Sequence, residues 1–355
     1  MDADPVALAA EIQEAELAAT VRVLSGMDPI TGGRLVSRDL HHPDLARAGE
    51  WLEGELRAID GLVVSRFPFP LDGIAPDPFD LVAELPGTAP GPVLLLGAHY
   101  DAIASSDPLW LDPATDPAPG ADDDASGTAA ILAIARTMAA WKPGFRHPVR
   151  FVLWSAEEYG LLGSQAYVDG LGPGEVEQMI QLDSIGYDAN GAGNLWATFD
   201  PPSAALADSL VAFAAEAGTP LSLTPVPAEL VGGDARSDHY PFWEVGIPAI
   251  HLASFPLPPT YHTMGDTLDA VDLPFALEAT RLVAGFAIAE AQPLEGAVSA
   301  PPTGCGCGPA TPHPWWAAAL GFIAWRRSTT RSGSRRGPAD PPRSADPAAG
   351  CHRVP

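Results

Sequence analysis

The stretch Val93-Leu94-Leu95-Leu96-Gly97-Ala98-His99-Tyr100-Asp101 decides the fold class of this chain. An apolar run that ends in a histidine and an aspartate is typical of a strand buried on both faces of a sheet, with polar side chains at its carboxyl end. Three further, largely apolar runs follow at 149–154, 179–182 and 247–252, and helical patterns separate them. This alternation predicts an α/β protein with a three-layer α/β/α architecture around a central mixed, mostly parallel sheet.

Six segments carry apolar residues at spacings of three and four, the period of an amphipathic helix. Pro43 stands at a favourable first-turn position of the second segment. The predicted helices are 6–25, 43–58, 126–141, 161–168, 203–217 and 274–291. Strands and helices together predict one main domain over residues 1–292.

The distribution of charge along the chain limits the kinds of partner that it can bind. The chain has 355 residues, 46% of them hydrophobic, which is enough for a sizeable core. The formal net charge is −26; residues 301–355 hold seven Arg and two Asp, or +5, which leaves −31 for residues 1–300. Such a body disfavours nucleic acid as a partner. The negative charge either attracts cationic N-terminal amines or serves only solubility.

The end of the chain differs in composition from the body. Residues 293–314 are rich in Pro and Gly and predict a linker, 315–327 form a short apolar segment ending in Arg-Arg, and 328–355 predict a disordered basic tail. All three cysteines, Cys305, Cys307 and Cys351, lie in this part. The body therefore has no thiolate metal site, and any zinc there must be held by histidine and carboxylate.

Five short patches carry the candidate chemistry. Most of them follow a predicted strand, where the carboxyl ends of parallel strands gather ligands at one edge of the sheet. Imidazole and carboxylate are ligands that zinc accepts, and paired metals need one carboxylate that bridges them. The patches are His99-Tyr100-Asp101, Asp122-Asp123-Asp124, Glu157-Glu158, Asp183 and Tyr261-His262.

Other kinds of site fit the sequence less well. The spacing Asp122-x-Asp124-x-Ser126 is similar to the start of a calcium loop, but the twelfth position is Ala133 instead of glutamate. Asp122 and Asp124 are therefore expected to shape the loop. No predicted strand is followed by a Gly-x-Ser-x-Gly elbow, and the chain lacks a His-Glu-x-x-His helix. His41, His42, His147, His239 and His251 are expected to be ordinary core or surface histidines.

At these patches the chain resembles the di-zinc aminopeptidase family, which includes bacterial secreted aminopeptidases and relatives such as glutamate carboxypeptidase and glutaminyl cyclase. The resemblance covers roughly residues 20–292 and implies a zinc-peptidase fold, two zinc ions and peptide substrates with a free N-terminus. In relatives the peptide bond after the bridging aspartate is often cis. The resemblance implies that His99 and Asp183 hold one zinc, Glu158 and His262 hold the other, and Asp123 bridges them.

The same resemblance implies roles for residues beside the metals. Glu157 is the general base, which takes a proton from the water shared by the zinc ions and delivers it to the leaving amine. Tyr261 matches a tyrosine that stabilises the oxyanion in some relatives, and Arg236 is expected to contact substrate or product. Asp101 stands two residues beyond His99, so in an extended segment it points to the same side and can orient the imidazole.

Several alternatives remain open. A carboxypeptidase or a glutaminyl cyclase of the same superfamily, or a binding ectodomain without metals, shares the fold. Residues 1–5 show no secretory signal. The tail resembles a MYXO-CTERM sorting signal, which predicts secretion or attachment to the cell envelope, with a cytoplasmic location as the alternative. The sequence gives no expectation for the oligomeric state.

Overall fold

The computed structural model describes residues 4–89, 91 and 93–295. Within these ranges the chain forms eight β-strands and eight α-helices. The strands are β1 Val63–Pro68, β2 Phe79–Leu85, β3 Val93–His99, β4 Val149–Trp154, β5 Val176–Leu182, β6 Asn194–Phe199, β7 Ser222–Pro227 and β8 Ala249–Ser254. The helices are α1 Pro5–Ala9, α2 Glu14–Leu24, α3 Asp44–Arg57, α4 Ala125–Ala140, α5 Leu162–Asp169, α6 Ala204–Ala217, α7 Tyr240–Glu244 and α8 Leu273–Ala291.

All eight strands belong to one sheet in the order β1-β2-β4-β3-β5-β8-β6-β7. The four central strands β4, β3, β5 and β8 run parallel. The flanking strands β2 and β6 are antiparallel to β4 and β8, β1 is antiparallel to β2, and β7 is parallel to β6. The prediction of a mixed, mostly parallel sheet is confirmed.

Both faces of the central sheet are covered, which completes the three layers. Leu94 and Leu96 of β3 pack into a large core cluster to which α1–α4, α6 and α8 contribute. Leu95, between them, packs on the opposite face with Trp154 and with Phe242 of α7. This alternation with a period of two along one wholly apolar strand is what a sheet buried on both faces requires.

The predicted helix 6–25 is wrong, because the chain forms two helices, α1 and α2, with a break between them. Arg281 of α8 donates hydrogen bonds to the carbonyl oxygens of Ala10 and Ile12 in this break. The carboxylate of Glu16 accepts a hydrogen bond from the N–H of Gln13 at the start of α2. A contact across the fold thus interrupts a helical pattern that is continuous in the sequence.

The C-terminal predictions lie mostly outside the described residues. The sorting segment 315–327, the basic tail 328–355 and the linker beyond residue 295 all fall there, and these assignments stay predictions. Within the described ranges, none of the helices combines the length and the apolar character that crossing a bilayer requires.

Candidate metal centre

The central strands bring the candidate ligands together at one edge of the sheet. His99 is the last residue of β3, and Asp183 directly follows β5. Glu158 lies in the turn after β4, His262 lies in the loop after β8, and Asp123 lies just before α4. His99, Asp123 and Asp183 are buried, and the other two are partly buried. The predicted placement at the carboxyl ends of the strands is therefore confirmed.

The ligand atoms form two groups that share Asp123. In the first group, Nε2 of His99 lies 3.1 Å from Oδ1 of Asp123 and 3.6 Å from Oδ1 of Asp183. In the second, Nε2 of His262 lies 3.1 Å from Oδ2 of Asp123 and 3.0 Å from Oε2 of Glu158. Each oxygen of one carboxylate faces a different histidine, which is the arrangement a bridging ligand needs.

The donor set fits a pair of zinc ions. Oδ2 of Asp123, Oε1 of Glu158 and Nε2 of His262 are buried and have no hydrogen-bond partner. Buried polar atoms in folded proteins nearly always have a partner. Each group supplies one histidine and two carboxylates, which leaves room for water or substrate at a tetrahedral ion. The Asp123–Asp124 peptide bond is cis.

The electrostatics of the site also favour cations. Burial opposes the charge of Asp123, but the imidazole rings of His262 and His99, each 3.1 Å from one carboxylate oxygen, hold its pKa below the usual range. Burial raises the pKa of Glu158 to about 7, and the charge of Asp123 adds to this shift. Burial also raises the pKa of Glu157 well above its usual value. Closely spaced carboxylates with little water around them favour a positive ion among them.

The model of peptidase family M28 matches residues 80–287, more than half of the chain. The chain belongs to this family. The matched range contains all five candidate ligands.

Individual relatives cover different parts of this M28 chain. It is 31% identical over 226 residues to leucine aminopeptidase 1 of Coccidioides posadasii, covering 59% of this chain and 55% of the relative. A zinc aminopeptidase from Bacillus subtilis is 26% identical, with a TM-score of 0.51 over 61% of this chain and 51% of that chain. LapA aminopeptidase from Legionella pneumophila shares the fold at 23% identity, with a TM-score of 0.68 over 82% of this chain and 75% of that chain. The chain spans 36% to 55% of the length of the curated relatives compared.

Asp101 holds the turn that carries the two glutamates. Its Oδ1 accepts a hydrogen bond of 3.1 Å from the N–H of Glu157, and its Oδ2 accepts one of 3.2 Å from the N–H of Glu158. Nδ1 of His99 lies 3.5 Å from Oδ1 of Asp101, which is a close approach but longer than a formed hydrogen bond. Asp101 therefore lies beside the imidazole as expected, and it also positions the glutamates, a contact that sequence spacing did not indicate.

The neighbours of Asp123 shape the loop before α4. The carboxylate of Asp124 accepts hydrogen bonds from the backbone of His99 and the start of α4, and Asp122 accepts one from the N–H of Gly186. The loop-shaping role expected for both residues is thus seen in their contacts. Asp266, which sequence reasoning missed, accepts hydrogen bonds from the N–H groups of Asp122 and Asp123.

Arg38 is a second residue that the sequence did not single out. Its guanidinium is fully buried and donates hydrogen bonds to four carbonyl oxygens, those of Leu24, Tyr100, Pro119 and Gly120. These bonds fix the backbone between His99 and Asp101 and the loop that leads to Asp123. An arginine between a serine and an aspartate in a loop gives no local signal of such a role.

A cleft of about 170 Å³ opens beside the metal centre. Its lining includes Asp183 and Tyr261 at one end and Trp196 and Phe255, whose rings stack 3.4 Å apart. The ring of Tyr261 lies nearly parallel to that of His262, with centroids 3.8 Å apart. Arg236 also lines the cleft; its side chain is 61% exposed and is paired with Asp234. Tyr261 and Arg236 thus lie where a substrate would reach them.

Proposed function

We propose that the chain is a di-zinc aminopeptidase that hydrolyses the N-terminal peptide bond of peptides. The observation that carries the proposal is the position of Asp123, whose two carboxylate oxygens face two separate ligand groups at 3.1 Å each. Membership of peptidase family M28 supports it, as do the leucine aminopeptidase and the zinc aminopeptidase among the relatives.

Two zinc ions, held by the first group and the second group, would lower the pKa of a water molecule and polarise the scissile carbonyl. Glu157 acts as the general base. Its Oε2 lies 4.0 Å from Nε2 of His99. The carboxylate is therefore close to the first ligand group but is not one of its three ligands. Glu157 accepts the proton of the attacking water and returns it to the leaving amine.

The cleft receives the N-terminal residue of the substrate. The carboxylates around the site attract its ammonium group, and the stacked rings of Trp196 and Phe255 give the side chain an apolar wall. The hydroxyl of Tyr261 donates a hydrogen bond to the developing oxyanion, and Arg236 at the rim contacts substrate or product. This arrangement favours the aminopeptidase over a carboxypeptidase, because Arg236 is the only Lys or Arg among the described residues that line the cleft, and it is already paired with Asp234.

A panel of amino-acid arylamides tests the function. Zinc-loaded protein is expected to release arylamine from substrates with a free α-amino group and not from the matched N-acetylated arylamides. Dipeptides with a blocked N-terminus and a free carboxylate serve as the second comparison. Hydrolysis of the blocked dipeptides without hydrolysis of the arylamides would show a carboxypeptidase instead.

A further inference from the structure

A second set of metal-binding side chains lies beside the metal centre and shares no residue with it. The set consists of Asp234, His239 and His251, each of them buried. Asp234 lies in the turn after β7, His239 directly precedes α7, and His251 is on β8. One ligand atom from each residue lies within 4.8 Å of the other two. Three separate segments of the chain thus bring ligands to one point.

The two histidines have ring nitrogens without partners. His239 has no exposed surface, and both its Nδ1 and its Nε2 lack a hydrogen bond. Nδ1 of His251 is the nitrogen that faces Asp234, whereas its Nε2, also buried without a hydrogen bond, faces Asp183. Such atoms are uncommon in folded proteins and indicate a ligand that completes the site.

The distances fit a single ion. Oδ2 of Asp234 lies 3.1 Å from Nδ1 of His251 and 3.8 Å from Nε2 of His239. A tetrahedral zinc ion with bonds of about 2.0–2.1 Å holds its ligand atoms about 3.4 Å apart. The two imidazole rings lie 4.9 Å apart between centroids, with planes only 18° apart.

Neighbouring residues hold these ligands in place. Arg236 donates to Oδ1 of Asp234 through Nε and Nη2 at 2.8 Å, and Oδ2 is turned towards Nδ1 of His251 at 3.1 Å, a hydrogen bond that an ion would replace. The ring of His239 packs edge-on against Trp243, with centroids 4.3 Å apart. Hydrogen-bonded ligands of this kind are typical of metal sites.

We propose that Asp234, His239 and His251 bind a third zinc ion, separate from the two of the metal centre. Three protein ligands leave one position for water, and His251 lines the cleft through which an ion can enter. The ion ties the turn after β7 to β8. It does so next to the metal centre, because Nε2 of His251 lies 3.9 Å from Oδ2 of Asp183. The rival arrangement is an ion pair between Asp234 and a protonated His251, without metal.

The number of zinc ions per chain distinguishes the third zinc site from the metal-free ion pair between Asp234 and His251. The full chain is stripped with a chelator, reloaded with Zn²⁺ alone, desalted and assayed for zinc per chain by mass spectrometry. We expect about three zinc ions in the wild type and about two in His239→Leu, which removes one ligand and keeps a side chain of similar size. The control His147→Gln changes a histidine outside every candidate metal group of the described residues and should keep three. Asp123→Asn, which loses the bridge, should keep about one.

The outcomes also separate this site from the proposed function. Two zinc ions in both the wild type and His239→Leu would overturn the third site and leave the di-zinc centre intact. One ion in the wild type that disappears in His239→Leu would support this site and contradict the di-zinc centre. Three ions in both proteins would place the third one elsewhere. If His239→Leu does not fold, Asp234→Asn replaces it, and anomalous diffraction at the zinc edge locates the ions in the wild type.

Discussion

At the scale of single residues, the carboxylates of the adjacent residues Glu157 and Glu158 lie near different histidines. Oε2 of Glu158 lies 3.0 Å from Nε2 of His262, while Oε2 of Glu157 lies 4.0 Å from Nε2 of His99. Ala156, just before them, has a φ of 57°, a left-handed conformation that redirects the chain after β4. The turn, held by Asp101, lets neighbouring side chains reach different ligand groups, so one can bind metal while the other accepts protons.

Replacing each glutamate with glutamine separates the base from the ligand. Glu157→Gln keeps the size of the side chain but cannot accept a proton. We expect kcat to fall by roughly 10²-fold or more, the contribution typical of general acid–base catalysis, with zinc content unchanged. Glu158→Gln should instead lower the retained zinc. Steady-state kinetics and metal analysis on the same preparations check both, and a wild-type kcat in Glu157→Gln would contradict the proposed base.

The sequence indicated the candidate ligands more clearly than the residues that hold them in place. His99 and Asp183 stand at strand ends, where an apolar run makes a polar residue conspicuous. Arg38 and Asp266 are as close to the site, but their roles depend on backbone groups far away in the chain. His239 and His251 were expected to be ordinary histidines. They stand twelve positions apart in the chain, and only the fold brings them close to Asp234. Spacing reveals local patterns, and contacts between distant segments leave no such pattern.

At the scale of elements, the loop before α4 connects the helix to the sheet. A Cβ added at Gly127 in the first turn of α4 would lie 2.5 Å from the carbonyl oxygen of Leu182 and 2.5 Å from Oδ1 of Asp124. Helix and strand therefore approach more closely than any other residue allows. Arg38 holds the other end of this loop through its four hydrogen bonds to carbonyl oxygens.

Arg38→Met tests this anchor. Methionine fills part of the volume but donates no hydrogen bond, so buried carbonyl groups lose their partner at about 1–3 kcal/mol each. We expect the free energy of unfolding to fall by at least about 3 kcal/mol, measured by urea denaturation of the metal-free protein. Arg57→Met is the matched control, because Arg57 forms an exposed ion pair with Glu53 on α3. Its effect should stay within about 1 kcal/mol, and equal losses in both variants would contradict the anchor.

The central strands were predictable and the outer ones were not. β3, β4, β5 and β8 are buried on both faces, so each shows as an apolar run. β1 and β7 lie at the two edges of the sheet, and most of their residues are partly or fully exposed, so their sequences mix polar and apolar residues. A strand with this composition cannot be told from a loop without knowing its neighbour.

At the scale of the whole molecule, α8 is the last element among the described residues that contributes to the hydrophobic core. This helix packs against α1, α2 and α4 and contributes Phe286 and Ile288 to the large core cluster. All proposed metal ligands precede residue 263, and α8 ends at Ala291. The catalytic body and the basic C-terminal segment also differ in charge, −31 against +5. The described residues therefore contain every proposed metal ligand and the core that surrounds them.

Deleting residues 301–355 tests this division of the chain. Because no proposed ligand and none of the described core residues lies there, kcat and KM for an arylamide should stay within about twofold of the full chain. The melting temperature should be nearly unchanged as well, since the deletion removes none of the described core residues. Both proteins are compared after identical zinc loading by steady-state kinetics and thermal unfolding.

The same pair of proteins tests the predicted surface attachment. Expressed in a bacterium behind one common export signal, the full chain should accumulate in the cell envelope and the truncated chain in the medium, because Cys305, Cys307 and the apolar segment 315–327 are present only in the former. A Cys305→Ser, Cys307→Ser variant of the full chain controls for the presence of the tail itself. Equal distribution of all three proteins would remove the sorting hypothesis, whereas loss of activity on truncation would show that the tail supports the catalytic body.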